Sequence, residues 1–403
     1  MIASLDIGTS AIKAALAEIT NGQDINILGI SHVSSSGLKK GNIVDIEATA
    51  KAINTCLDEL ERLTGVQIDK ALVGFSGASI SVTNNRAVVA IGNSSYEITN
   101  DDRDRVIQSA SNISLPPDRI VIQRIERQFL VDGFEGVKDP VGMVASRLEA
   151  EVNIITAASA AIQNIQRSTA RVDLQVEKLY YNPLLVSKTV LLPAEKEAGV
   201  ILVDFGAGIT EVALYRGGSM VNSSVLPVGD EYITRDLAIV LKTSIEEAKR
   251  IKEVYGVASS ELLQGDNNVA MKNIKGMQEK EVSLRVIADI INARVVEIMD
   301  MIYEEILGCG SIDSLPGGIV ISGGGAQLTG LVTVMENHFG IPVRLGLPEN
   351  FRGLPTEFNR PQYAAVLGGV IYAARYAGAA YQESKTLFGI FDKINYWIKD
   401  LFS

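Results

Sequence analysis

Two stretches of this chain end an apolar run with an acid, then place glycines and a hydroxyl residue after it. The first is Asp6-Ile7-Gly8-Thr9-Ser10, and the second, about half the chain later, is Asp204-Phe205-Gly206-Ala207-Gly208-Ile209-Thr210. Glycine turns let backbone N–H groups come close to an anion, and a carboxylate beside them can hold the cation that accompanies a polyphosphate. Two such hairpins facing each other would grip one nucleotide from both sides.

The elements that must position these turns are legible in the hydrophobic pattern. Residues 2–18 read as strand, turn, strand, and a third strand follows near 25–33. A helix over 46–63 has Ile53, Leu57 and Leu60 on one face and Gly65 closing it. An apolar strand over 71–75 then ends at Ser76-Gly77. Between 80 and 156 the character changes: 80–91, 119–131 and 147–156 alternate like half-buried strands, and a polar helix over 101–111 is capped by Thr99-Asn100. This reads as a compact inserted subdomain. A helix over 159–171 and a strand lead to Tyr181-Asn182-Pro183-Leu184 and another helix, after which the second hairpin opens a second lobe. Helical stretches at 234–255 and 282–306 bracket a polar section, Gly265 to Asn268, that reads as loop or short strands. A buried strand over 319–322 runs into Gly323-Gly324-Gly325, with helices expected over 328–339 and, rich in small residues, over 361–378.

Composition narrows the classes of function. At 403 residues and 47% apolar content the chain can bury more than one core. A net charge of -11 argues against nucleic-acid binding, which needs clustered Lys and Arg. Only Cys56 and Cys309 are present, and no Cys/His cluster has metal-ligand spacing, so neither a disulfide framework nor a zinc site is expected. His32 and His338 have no matching partners and read as structural. The N-terminus enters strand-like sequence at once, and no stretch approaches the roughly 20 apolar residues of a spanning helix, so neither secretion nor membrane integration is expected.

The order hairpin, insertion, hairpin, strand with three glycines resembles the actin, Hsp70 and hexokinase superfamily. Within it the chain resembles the FtsA family of bacterial cell-division proteins. The resemblance rests on Leu5 to Ser10, the Ser76-Gly77 strand end, Pro140-Val141-Gly142, Gly323 to Leu331, and Val343-Arg344-Leu345-Gly346, together with the position of the insertion. It implies an α/β, actin-like two-lobe fold: two related RNase H-like lobes with mixed sheets, an inserted α+β subdomain in the first lobe and a C-terminal amphipathic helix. The implied division is 1–81 and 157–195, with 364–380, for the first lobe core; 82–156 for the insertion; 196–232 and 308–363 for the second lobe core; 233–307 for its small subdomain; and 381–403 for a linker and the terminal helix.

Carried over by position, the resemblance implies ATP or ADP with Mg²⁺, Asp6 and Asp204 orienting the ion through its water shell. Gly8, Thr9, Ser10, Gly206, Gly208 and Thr210 would supply phosphate-facing N–H and hydroxyl donors, and Lys13 would reach a phosphate oxygen as a point charge. Gly323, Gly324 and Gly325 would lie against the nucleoside, with Gly229 and Lys252 nearby. Hydrolysing relatives place a glutamate or glutamine where this chain has Asn182, and a shorter amide positions water poorly, so hydrolysis is expected to be slow or absent. Lys249 stands where relatives often have a glutamate contacting the ribose.

The last residues form a second feature. At a helical spacing, Leu387, Ile390, Phe391, Ile394, Trp397, Ile398, Leu401 and Phe402 share one face, with Phe388 adjoining and Asp392, Lys393, Tyr396, Lys399 and Asp400 opposite. Gly389 weakens the isolated helix by about 1 kcal/mol relative to Ala, so the helix needs a surface for its apolar side. That surface is either a protein core or the membrane interface, and the aromatic residues suit the interface. FtsA-like proteins end in such a helix.

The resemblance therefore implies an actin-like, ATP-binding protein that polymerises on the cytoplasmic face of the cell membrane at the division site. There it would anchor filaments of FtsZ and help recruit later division proteins. Its partners would be itself, membrane lipid, other division proteins and the FtsZ C-terminal tail, the last on the helix carrying Arg285, Arg294 and Glu297. A solvated helix face explains those charges equally well. Two other readings share the nucleotide motifs. One is a PilM-like pilus-assembly scaffold, which lacks the terminal helix. The other is a small-molecule kinase, which needs a cleft general base not evident outside the hairpins.

Overall fold

The computed structural model describes residues 1–20, 24–265, 267–274, 279–308, 315–349 and 351–385. The terminal amphipathic stretch expected over 387–402 lies outside them.

The first lobe opens with β1 (Ile2–Ile7), β2 (Ala11–Thr20) and β3 (Asp24–Ser34), followed by the short β4 (Leu38–Lys39) and β5 (Asn42–Ile43). Next come α1 (Ile46–Thr64) and β6 (Lys70–Phe75). Asp45 caps α1 by accepting from Ala48 N, and Gly65 ends it in the left-handed region at φ 71°.

The insertion comprises β7 (Ser81–Ala90), α2 (Asn100–Ser111), β8 (Arg119–Val131), β9 (Phe134–Val137) and β10 (Arg147–Ala158). Its strands form a separate sheet in the order β7-β10-β8-β9, with a core of its own around Val106, Phe129, Leu148 and Ile154. Thr99 and Asp102 close a reciprocal capping box on α2, as the Thr99-Asn100 signal predicts.

The chain returns through α3 (Ser159–Ala170), β11 (Gln175–Tyr181) and α4 (Asn182–Val190), then crosses by α5 (Pro193–Ala198). The second lobe contains β12 (Val200–Phe205), β13 (Thr210–Arg216), β14 (Ser219–Leu226), α6 (Asp230–Leu241) and α7 (Ile245–Tyr255). It continues with β15 (Asn268–Lys272), β16 (Glu279–Ser283), α8 (Leu284–Leu307), β17 (Ile319–Ser322), α9 (Leu331–Phe339) and β18 (Val343–Leu345). α10 (Ala364–Lys385) comes back to pack on α4 and β1.

The two large sheets have the same topology. Their orders are β11-β6-β1-β2-β3 and β14-β13-β12-β17-β18. Each begins as an antiparallel meander, and each adds two strands parallel to the first. Both lobes therefore place the turn after their first strand, and the end of their fourth, at the same sheet edge. In open α/β sheets that carboxyl edge is where ligands collect.

Three expectations are corrected. The helix expected over 234–255 is two helices, because Lys242 turns left-handed at φ 54° and Ser244 caps α7 by accepting from Glu247 N. The helix expected from 328 starts at Leu331, since Gly330 at φ 77° is non-helical. The terminal helix runs past 378 to Lys385, so 381–385, read as linker, is helical.

Cys56 sits on α1 with no exposure, its thiol 3.0 Å from Ser31 Oγ. Burial pushes the thiol up to about 11, with the Ser31 hydrogen bond opposing. Iodoacetamide at pH 8 is therefore expected to label Cys56 roughly 200-fold more slowly than a free thiol, with fast labelling appearing only on unfolding. Mass spectrometry of the labelled peptide checks this.

Candidate nucleotide site

The two hairpins meet. Asp6 pairs across β1 and β2 with Lys13, and Asp204 pairs across β12 and β13 with Glu211. Side chains in register pairs share a face of the sheet. All four consequently line one cleft of about 670 Å³ between the lobes, together with Gly8, Thr9, Ser10, Gly206, Gly208 and Gly323 to Gly325. The turns need glycine for space as well as for approach. A Cβ on Gly208 would stand 2.9 Å from the Thr9 side chain of the facing hairpin, and one on Gly325 would strike the Phe205 ring.

The electrostatics of this face are unbalanced. Lys13 Nζ is 2.9 Å from Asp6 Oδ2. Burial opposes the Lys13 charge, but attraction to Asp6 and the hydrogen bond that Lys13 donates to it exceed that effect and hold its pKa above the ordinary value. Asp6 is 4% exposed, and its other oxygen accepts from Asn182 Nδ2 at 3.1 Å. Among the described residues Asp204 has no such hydrogen-bond donor: burial first, then the charge of Asp6, push it up to about 7, with Lys13 pulling the other way. Glu211, 3% exposed, is also displaced well upward, again by burial first and then by Asp204. Ser76 of the first lobe donates to Glu211 Oε1 of the second, so the bottom of the cleft ties the lobes together. Three carboxyl groups facing one part-buried lysine form a site short of positive charge.

The remaining expected residues divide. Lys252, Lys249 and Asn182 line the cleft. Lys252 is held by Asp230, whose side chain and carbonyl both accept from it. Asn182 Nδ2 is committed to Asp6, whereas its buried Oδ1 has no partner among the described residues. Thr210 is not brought to the cleft: it is fully buried, and its hydroxyl donates to Val228 O at 2.8 Å. It pairs with Phe205, so it points to the face opposite Asp204 and Glu211. Gly229 stands behind the second turn; a Cβ there would lie 2.5 Å from the carbonyls of Gly206 and Ala207. It supports the turn from outside the cleft wall. His32, expected to be structural, lines the cleft and hydrogen-bonds Tyr363 Oη at 2.9 Å, with burial and Lys13 lowering its pKa. His338 faces Asp300 at 3.2 Å, remote from the cleft lining.

Glu211 belongs to no glycine-turn motif, yet its position carries a signal in the sequence. Asp6 to Lys13 and Asp204 to Glu211 have the same seven-residue spacing, so the second hairpin repeats the first with an acid where the first has its lysine.

Arg285 and Arg294, expected at a partner site, are on α8, away from the cleft. Arg285 is exposed. Arg294 makes a two-pronged contact with Asp236 of α6, Nη2 to Oδ1 at 3.0 Å and Nε to Oδ2 at 2.5 Å, and also reaches Glu297.

Two lobes of like topology closing over a glycine-lined, acid-rich cleft define the actin-like class of proteins. Solved structures agree on the fold. The PilM–PilN type IV pilus biogenesis complex matches with a TM-score of 0.67 at 16% identity, over 93% of this chain and 98% of that one. MreB5 of Spiroplasma citri bound to AMPPNP matches at 0.56 and 14% identity, over 94% and 98%. Sequence comparison carries the assignment further. The family model for cell division protein FtsA matches residues 201–368, and that for the SHS2 domain inserted in FtsA matches 77–156. The cell division protein FtsA of Borreliella burgdorferi is 36% identical over 92% of this chain and 90% of its own length. That of Bacillus subtilis is 36% identical over 93% and 83%, and that of Pseudomonas aeruginosa 31% over 100% and 98%. The chain belongs to the FtsA family of cell division proteins.

Proposed function

We propose that this protein is a nucleotide-dependent scaffold of cell division that polymerises beneath the membrane at the division site and tethers FtsZ there. The observation that carries the reading is the convergence of both Asp-Gly turns and the three-glycine segment on one interlobe cleft. ATP or ADP is the proposed ligand, in keeping with the nucleotides bound by MreB5 of Spiroplasma citri. Gly8, Thr9, Ser10, Gly206 and Gly208 would donate to its phosphates, Lys13 would offset their charge, and Gly323 to Gly325 with Lys252 would flank the nucleoside.

The excess of carboxyl groups fits Mg²⁺. Among the described residues no three acid, thiol or imidazole groups are close enough to ligate one ion directly. Asp6 and Asp204 would therefore hold the ion through its waters, and the ion would supply the positive charge the cleft lacks. Asn182, drawn toward Asp6, is poorly placed to orient an attacking water, so turnover should be slow and the nucleotide should act as a conformational clasp.

For FtsZ we propose the groove between α6 and α8, about 530 Å³, where Ile239 is 72% and Val240 57% exposed beside Arg294. An apolar strip of Ile239, Val240, Val286 and Ile290, edged by the Arg294–Asp236 pair, suits a short amphipathic peptide. The membrane contact would come from Leu387 to Phe402. Among the described residues no helix is long and apolar enough to cross a membrane. The FtsA relatives at 36% identity favour this reading over the PilM-like one, which rests on 16%.

Electron microscopy of the full chain on lipid monolayers with Mg-ATP tests the proposal: membrane-bound filaments are expected, and their absence at every protein concentration would sink it. Binding of the FtsZ tail peptide should weaken at least tenfold, about 1.4 kcal/mol, in Val240→Glu, measured by fluorescence anisotropy.

A further inference from the structure

A second cavity, of about 460 Å³, lies where four parts of the chain meet. α4 contributes Lys188, α5 contributes Lys196 and Glu197, α10 contributes Arg375, and Lys138 comes from the insertion just after β9. Glu349 and the Gly218 turn complete the wall. Four cations thus face two acids, and one acid is already engaged: Lys138 Nζ is 3.2 Å from Glu197 Oε2.

Lys188, Lys196 and Arg375 have no carboxylate partner among the described residues. Glu195, next to Lys196 in sequence, is occupied by Arg344 in a two-pronged contact. The two lysines have only aromatic company: Lys188 Nζ is 5.8 Å from the Tyr372 ring centroid, and Lys196 Nζ is 5.5 Å from that of Tyr215. Both are half-buried. Burial, then repulsion from Lys188 and Arg375, lowers Lys196 to about 7, against the weaker pull of Glu195. Burial, then Arg375, lowers Lys188 as well. Two partly desolvated ammonium groups beside an exposed guanidinium of the same sign are unfavourable unless something of opposite sign completes them. Two ammonium groups and a planar guanidinium suit the oxygens of one tetrahedral dianion.

We propose that this cavity is an anion site, separate from the nucleotide cleft, which takes a phosphate group carrying two negative charges. Occupancy would join α4 and α10 of the first lobe to the crossover helix α5 and, through the Lys138–Glu197 contact, to the insertion. The phosphate could be free in solution or the headgroup of an anionic lipid, since the recognising chemistry is the same.

The test uses the full chain with its nucleotide cleft saturated by Mg-ADP. Inorganic phosphate is titrated against chloride at equal ionic strength while the lysine side-chain ammonium signals are followed by ¹⁵N NMR. The Lys196 pKa is expected to rise by about one unit or more, a tenfold gain in proton affinity, because an anion favours the charged form. The Lys188→Gln/Arg375→Gln variant, which keeps Lys196 as the reporter, should lose the phosphate response while keeping Mg-ADP affinity. In a parallel arm, phosphatidylcholine vesicles with and without about 20% of a phosphatidic acid replace the free ion. A response confined to the vesicle arm assigns a lipid headgroup, and a response to inorganic phosphate assigns the free ion. No Lys196 shift in either arm overturns the site. An equal phosphate response in the double variant also overturns it, since the ion would then bind elsewhere. Should the variant fail to fold, the wild-type titration still decides.

Discussion

Asp204→Asn is expected to make the nucleotide-free protein more stable at neutral pH while weakening its hold on Mg-nucleotide at least a hundredfold. The folded chain keeps this carboxyl protonated up to about pH 7, whereas the unfolded chain releases the proton near pH 4. The native state thus binds the extra proton across that window. The group's contribution is fully present below about pH 4 and is lost as pH rises through 7. Full linkage over three pKa units would be about 4 kcal/mol; because the side chain remains in contact with solvent in the cleft, about 1–2 kcal/mol is the realistic gain. Asparagine keeps the shape and removes the charge. Thermal unfolding should show stabilisation at pH 7.5 that vanishes at pH 4.5. Calorimetric titration with Mg-ATP should show at least a hundredfold loss of affinity, about 2.7 kcal/mol, and a greater loss in Asp6→Ala/Asp204→Ala. Wild-type affinity in the double variant would remove the two-hairpin site altogether. The opposite signs of the two effects are what a ligand site predicts, since a charge useful to a ligand is a burden without it.

The second large effect concerns the membrane. A chain ended after Lys385 is expected to lose vesicle binding by a factor of about 30 or more, since even partial burial of several Leu, Ile, Phe and Trp side chains is worth over 2 kcal/mol. Flotation of full and shortened chains with phosphatidylcholine vesicles measures it. The full-length Phe391→Glu/Trp397→Glu variant should behave like the shortened chain, which separates loss of the apolar face from loss of length. Equal flotation of all three would show that these residues do not anchor the protein. Lys385, Lys393 and Lys399 are set against Asp392 and Asp400, so added salt should change binding much less than the two glutamates do.

Local chemistry made much of this protein legible before folding. A strand ending in acid and glycine has few alternatives, and its repetition at the head of two lobes specified the cleft, because a sheet's first turn always lies at the same edge. Thr99-Asn100 and Gly65 marked helix ends because caps act through backbone groups a few residues away. Tertiary structure decided what depends on direction and on distant partners. Register put Glu211 beside Asp204 and turned Thr210 inward, since neighbouring residues on a strand face opposite ways. The meeting of the lobes gave Glu211 its Ser76 donor, 135 positions away, and the chain's return to the first lobe after the insertion gave Asp6 its Asn182, 176 positions away. Helix pairing bound Arg294 to Asp236, and the return of α10 brought Arg375 to Lys188 and Lys196. A sequence fixes which charges and turns a chain possesses; only closure in space determines which of them are desolvated together.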